Sequence, residues 1–274
     1  MPPTLIEPSY EAELALATDA ARRAGALQME RYERLERIQH KGEHDVVTEV
    51  DTMSEKLIID LLRATYPADA ILAEESGHST VVQPADGAGE PATAPRMWIV
   101  DPLDGTVNYA NGIPVFCVSI GLAVDGRPVA GVVYDPVRDE MFSASVGGGA
   151  RLDGEPIRHQ EKAELSDLVL SMSTSRRPTA GERELRKRIR VTRSLGSAAL
   201  SLAYVGNGRF DGFVQGAGLS AWDICAAGLI ASEGGAAVTA RDGGPWFDMV
   251  RATRSIGVIA AGPAHHATIL ELLK

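Results

Sequence analysis

The chain has 274 residues, a net charge of −10 and 45% hydrophobic residues, enough for one large domain or two packed parts. Its acidic balance, with no basic run beyond Arg183 to Arg193, argues against a nucleic-acid partner. No apolar run approaches membrane-spanning length, and no signal-peptide pattern opens the chain, so the expectation is a soluble cytoplasmic protein without membrane contact.

The first predicted element is a helix from Ser9 to about Arg37. Ser9 serves as its N-cap, Glu11 and Glu13 favour its first turn, and Leu14, Ala17, Ala21, Ala24 and Leu27 form its stripe. Its role reads as scaffold. A loop at Gly42 leads through Val46, Val47 and Thr48 to Asp51, at the start of a second helix that ends by Pro67. Taken singly, Asp51 reads as a helix cap and Asp45 as a turn carboxylate. Ile71 to Ala73 is a short strand ending in Glu74 and Glu75. Adjacent positions face opposite ways, so one glutamate can face a site while the other is held elsewhere. The segment His78 to Arg96, rich in Pro, Ala and Gly, reads as a long excursion whose one functional option is a lid.

The stretch W-I-V-D-P-L-D-G-T-V-N-Y, Trp98 to Tyr109, organises the rest. Trp98 to Val100 predict a strand that stops at Asp101, because Pro102 fixes φ and lacks a backbone donor. Asp104-Gly105 is a turn pair, and Thr106 opens the next segment. Two carboxylates therefore reach one edge, with the N–H groups of Gly105 and Thr106 beside them. Carboxylates hold hard divalent cations and turn N–H groups hold phosphate oxygens, which points to metal-assisted phosphoryl chemistry. By itself D-P-L-D-G serves equally well as a polar turn after a buried strand.

Antiparallel strands follow at Val115 to Val124, Pro128 to Tyr134 and Glu140 to Val146. Gly147 to Gly149 lack the lysine and helix of a phosphate loop and read as a loop or boundary. Further on come a strand at Leu168 to Ser171, a polar loop at Ser173 to Pro178, and a small-residue helix after Arg193-Ser194-Leu195-Gly196. A strand at Asp211 to Gln215 precedes an apolar helix opened by Trp222-Asp223 and stopped by Gly234-Gly235. Asp223 can be a dipole partner or a metal ligand, and position alone does not separate the two. Cys117 and Cys225, in apolar surroundings, read as free thiols of a reducing compartment.

Four acidic segments thus end apolar elements: Asp51, Glu74/Glu75, Asp101/Asp104 and Asp223. Convergence without cations would raise their pKa values, and two or three Mg2+ ions would relieve the repulsion. Oxygen ligands favour Mg2+ or Mn2+. No His/Cys cluster is placed for zinc, since His265-His266 has no nearby acids.

The segments D-V-V-T-E-V-D, E-E-S-G, W-I-V-D-P-L-D-G-T-V-N-Y, R-S-L-G-S-A-A-L and W-D-I-C-A-A-G, in this order, resemble the inositol monophosphatase family of metal-dependent, lithium-sensitive phosphatases. The resemblance implies a layered αβαβα fold of mixed α+β and α/β type. Its N-terminal α+β part (1–150) would carry most metal ligands and its C-terminal α/β part (151–274) would complete the site. It implies Glu74, Asp101, Asp104, Asp223 and the Leu103 carbonyl as metal ligands, and Asp51 as a ligand through water. Glu74 and Thr106, with Asp51, would prepare the attacking water. Asp104, Gly105, Thr106, Thr174, Gly196, Ser197, Gln215 and Asp223 would contact a small phosphorylated substrate. Gln215 stands where inositol-specific members carry a glutamate, and the G-A-G-L-S after it has one extra residue. The expected activity is therefore a phosphomonoesterase acting on inositol-1-phosphate or a related polyol or sugar phosphate, in a homodimer. Fructose-1,6-bisphosphatase, histidinol-phosphate phosphatase and 3′-phosphoadenosine nucleotidase activities remain as alternatives. For the last, Phe213 and Trp246 are the nearby candidates for a base slot. An idle regulatory protein is the alternative of another class, and a nuclease is disfavoured by the missing basic track.

Overall fold

Apolar runs that cannot stay in water pair first with each other. Trp98 to Val100, Val118 to Val124 and Val129 to Tyr134 lie side by side in one sheet, buried on both faces. The computed structural model describes residues 9–32, 38–42, 45–76, 95–172, 178–248 and 255–274. In chain order the elements are α1 (Glu11–Arg31), β1 (Ile38–Gly42), β2 (Asp45–Thr48), α2 (Glu49–Thr65), β3 (Ala70–Ala73), β4 (Arg96–Asp104), α3 (Thr106–Ala110), β5 (Cys117–Val124), β6 (Arg127–Asp135), β7 (Glu140–Ser145), β8 (Gly149–Leu152) and β9 (Glu155–Ile157). Then follow β10 (Val169–Met172), α4 (Ala180–Arg188), β11 (Val191–Arg193), α5 (Ala198–Gly206), β12 (Gly212–Leu219), α6 (Ala221–Glu233), β13 (Ala237–Ala240), β14 (Ile256–Ala261) and α7 (Pro263–Leu272).

Strands β3 to β9 form a seven-stranded sheet in sequence order, in which β3 and β4 are parallel and every later neighbour is antiparallel. The second sheet has five strands in the order β11-β10-β12-β14-β13. Strand alternation sorts side chains between layers. Val118, Ile120 and Leu122 of β5 pack under α1 and α2, while Cys117 on the other face joins the core of α5 and α6. Likewise Phe213 of β12 and Val258 of β14 face α5 and α6, whereas Val214 and Ile259 face α4 and α7. The layers are therefore α1/α2, seven strands, α5/α6, five strands and α4/α7, the αβαβα order expected. No described helix is long and apolar enough to cross a membrane.

Three expectations need correction or restriction. Helix α1 is capped at Tyr10, not Ser9, and without a side-chain bond: the Tyr10 ring is buried in the core under the helix and fixes where the chain enters it. It ends at Arg31, where Tyr32 turns extended. The lid reading of His78 to Arg96 falls, but for Pro95 and Arg96, outside the described residues, and so does Thr174. Gly147 and Gly149 do cradle an anion, but it is this chain's own: both N–H groups donate to the Glu233 carboxylate at 3.0 Å.

Helix α6 lies so close to the large sheet that a Cβ on Gly131 would stand 2.7 Å from both Cα and Cβ of Ala226. Backbone cannot yield as a flexible side-chain end can. Gly131→Ala should lower the unfolding free energy by about 1–3 kcal/mol, read from the shift of the urea midpoint.

Candidate metal centre

Strand β4 does not stop at Asp101. It continues to Asp104 through a bulge: Asp101 pairs with Ser119 and Asp104 with Cys117, three steps along β4 against two along β5. Pro102, which has no N–H to give a ladder, sits in the irregular stretch. The bulge lets Asp101 and Asp104 both face the same space, which regular alternation would deny to residues three apart.

Gly105 then takes φ +98°, and a Cβ there would stand 2.9 Å from the Val115 carbonyl oxygen. Only glycine makes this turn without strain. Thr106 begins α3, and its hydroxyl lies 2.9 Å from both the Leu103 carbonyl and Asp51 Oδ1, donating to one at a time.

Asp101, Asp104 and Asp223 each place an oxygen within 4.8 Å of the others. Asp104 is buried, with 9% of its surface exposed. Its Oδ2 accepts the Ser197 hydroxyl at 2.6 Å and the Ala199 N–H at 2.7 Å, at the start of α5. Asp223 occupies the third position of α6, where its Oδ2 accepts the Ser220 N–H at 2.5 Å. Asp51 is the matching residue of α2, bonded to the N–H and hydroxyl of Thr48. Capping and facing the cleft are thus compatible in Asp223, which does both. Asp51 stands one step from the trio, connected through Thr106. Glu74 lines the cleft and lies within hydrogen-bond reach of Asp101, while the Glu75 carboxylate acts electrostatically on Asp51.

Burial and mutual repulsion show in the acidities. Burial, then Glu74, Asp104 and Asp223, push Asp101 well above the ordinary carboxylate range. Burial raises Asp104 against the opposing pull of Ser197 and Ala199. Burial raises Asp51 to about 6, although its bonds from Thr48 and Thr106 oppose this. Among the described residues that line the cleft none is Lys, Arg or His. A crowd of oxygen donors with no protein cation beside it fits a hard divalent ion.

The cleft, of about 210 Å³, opens into a neighbouring chamber of about 300 Å³ through shared walls at Asp104, Gly196, Gly218 and Asp223. Gln215, Ser171, Ser194 and Phe213 line that chamber. The Ser197 hydroxyl points to Asp104 and also accepts the Leu200 N–H, so its geometry orients the carboxylate. Trp246 packs over Gly228 of α6, away from the chamber-lining residues. The stretch after Gln215 is irregular: Gln215 pairs with Val258 and Leu219 with Ile256, four steps against two.

Sequence reading passed over Glu55. It is buried in α2, and its carboxylate accepts the N–H groups of Glu75 at 2.7 Å and Ser76 at 2.9 Å, anchoring the turn that carries Glu74. Its place four residues after Asp51, on the same helix face, is the signal that could have found it. Asn108, inside the quoted motif, donates to the carbonyls of Val115 and Leu195 and so fixes α3 to the loop before Gly196.

The model of the inositol monophosphatase family matches residues 9–274. The chain belongs to this family. It is 39% identical over 240 residues to the Nus factor SuhB of Pasteurella multocida, covering 84% of this chain and 86% of that one. It is 37% identical over 235 residues to inositol monophosphatase 1 of Solanum lycopersicum, covering 83% and 84%. The crystal structure of extragenic suppressor protein suhB from Bartonella henselae superposes with a TM-score of 0.85 at 33% identity, over 96% of this chain and 99% of that one.

A buried acid with a raised pKa keeps protons that the unfolded chain has released, so its contribution to stability falls as pH rises between the two values, here from 3.8 to about 6 for Asp51. In chelator, the melting temperature should decline across that window. Above it, Asp101→Asn should melt higher than the unaltered protein, because a repelled buried charge is gone. Equal melting of the two proteins would contradict this account of the site.

Proposed function

We propose that this chain is a Mg2+-dependent phosphomonoesterase that hydrolyses a small polyol or sugar phosphate, inositol-1-phosphate first among them. The observation that carries the reading is the meeting of Asp101, Asp104 and Asp223 within 4.8 Å, beside the Gly105 and Thr106 backbone at one cleft. Glu74, Asp101, Asp104, Asp223 and the Leu103 carbonyl would hold the metal, with Asp51 acting through water; a bound ion supplies charge neutralisation and an acidified water.

The protein's own groups do the rest. The Gly105 and Thr106 N–H groups grip the phosphate oxygens. Glu74 takes a proton from the attacking water as general base, and the Thr106 hydroxyl, tied to Asp51, orients that water. The water oxygen bonds to phosphorus as the ester P–O bond breaks, and the leaving alkoxide takes a proton from solvent water to depart as the alcohol; no covalent nucleophile is required. The hydroxyls of Ser171 and Ser194 and the Gln215 amide, all neutral, suit the hydroxyls of a polyol. Thr174, Gly196 and Ser197 complete the proposed contacts. An idle regulatory protein is disfavoured because every acid of the constellation is present. The reading extends to a homodimer on the family resemblance, to a cytoplasmic place on the two free thiols, and to no nucleic-acid partner on the acidic balance without a basic track.

Phosphate release with Mg2+ present or chelated should occur from inositol-1-phosphate, compared with fructose-1,6-bisphosphate, histidinol phosphate and 3′-phosphoadenosine 5′-phosphate. Asp101→Asn should lose at least about 100-fold in turnover, a barrier rise of about 2.7 kcal/mol. No release from any of the four by protein that still binds Mg2+ would favour the regulatory alternative, and a preference for another member of the panel would reassign the substrate.

A further inference from the structure

Residues 101 to 104 form the bulge that presents the acidic cluster; Asp101 and Asp104 are paired with Ser119 and Cys117, but the β4–β5 register breaks between them and ordinary sheet pairing does not hold Pro102 and Leu103. Something else must fix the Pro102–Leu103 peptide. Its carbonyl oxygen accepts the side-chain amide of Gln28 at 2.7 Å, from helix α1, 74 positions away in the chain. Its N–H, that of Leu103, donates to Asp101 Oδ1 at 3.1 Å. A peptide unit is planar, so the two bonds act through one rigid plate: Gln28 on one edge sets the angle at which the other edge holds the Asp101 carboxylate. The next carbonyl along, that of Leu103, receives the Thr106 hydroxyl.

Gln28 is held in turn. It lies in the last turn of α1, where helix carbonyls run out of intrahelical partners, and its own carbonyl accepts the Tyr109 hydroxyl at 2.7 Å. Tyr109 belongs to α3, directly after the bulge. One residue of α1 therefore clasps the D-P-L-D-G-T-V-N-Y segment on both sides.

The Gln28 side chain is fully buried, and its Oε1 has no hydrogen-bond partner among the described residues. An orphaned buried oxygen is destabilising; methionine, of similar length, would remove that orphan but leave the buried Pro102 carbonyl without its donor. On stability alone Gln28 therefore has no advantage over methionine at this position. Its amide donor is what the position uses.

We infer that Gln28 is a positioning residue for the metal centre, setting Asp101 through the Pro102–Leu103 peptide, with Tyr109 holding Gln28 in place. The inference rests on the metal-centre reading above. Residues that orient metal ligands from behind typically change metal affinity by about 10–100-fold when lost, without touching the ion.

The test is a Mg2+ titration followed by thermal shift on the unaltered protein, Gln28→Met, Tyr109→Phe and the double variant, with melting in chelator recorded for each. Gln28→Met should raise the Mg2+ midpoint about tenfold while melting in chelator close to the unaltered temperature, since one orphaned acceptor replaces another. Tyr109→Phe should move the midpoint the same way by less, and the double variant should fall short of the product of the two. Unaltered midpoints in both single variants, or midpoint shifts that appear only together with lowered melting in chelator, would overturn the positioning role and leave the metal reading standing. No Mg2+ response in the unaltered protein would overturn both.

Discussion

Negative charge brought together inside a protein must be held there against its own repulsion, and the rest of this structure depends on how that is done. Asp51, Asp104 and Asp223 come from three separate stretches of chain, yet each is bonded at the first turn of a helix: α2, α5 and α6. Helix starts carry unsatisfied N–H groups and partial positive charge. Each carboxylate thus spends one oxygen on a helix; Asp104 and Asp223 bring their charge to the cleft with that support, while Asp51 stands behind Thr106. The bonds that would otherwise be mere capping fix rotamers, so the cluster is set by the protein's own groups.

The layers follow from this requirement. Sheet strands bring Asp101 and Asp104, the middle helices bring Asp223 and the partners of Asp104, and the outer helices hold the connecting turns from behind. Glu55 of α2 and Gln28 of α1 are both buried polar residues in an apolar layer, and both reach through it to backbone groups beside acids of the cleft. A helix layer that looks like scaffold in sequence therefore acts as a jig for the strand ends.

Much of this was legible before the structure. The acids ending apolar runs stand out because a charge after a buried strand needs a reason, and D-P-L-D-G announces its turn through Pro102 and Gly105. The layer order was expected from the family resemblance, not from periodicity. What stayed hidden has physical causes. The bulge at Pro102 depends on pairing with β5, a partner the local sequence does not name. Helix α4 is almost wholly charged, with Leu185 alone buried, so no apolar stripe marks it. Strands β8, β9 and β13 are three or four residues long and rich in small or polar side chains, too short for alternation to show. Gln28 is one polar residue in an alanine-rich helix, and nothing around it says which way it points.

The cleft and the chamber share a wall but draw most of their other residues from different halves of the chain. Glu74, Asp101, Leu103 and Thr106 lie before residue 110, while Ser171, Ser194, Phe213 and Gln215 lie after residue 170. Changes at Ser171, Ser194, Phe213 or Gln215 can therefore accumulate away from the charged cluster, and the irregular stretch between Gln215 and Leu219 is where length can vary at least cost to either sheet. The charged cluster and the chamber wall are thus separable modules: the wall can be recast while the cluster keeps its shape.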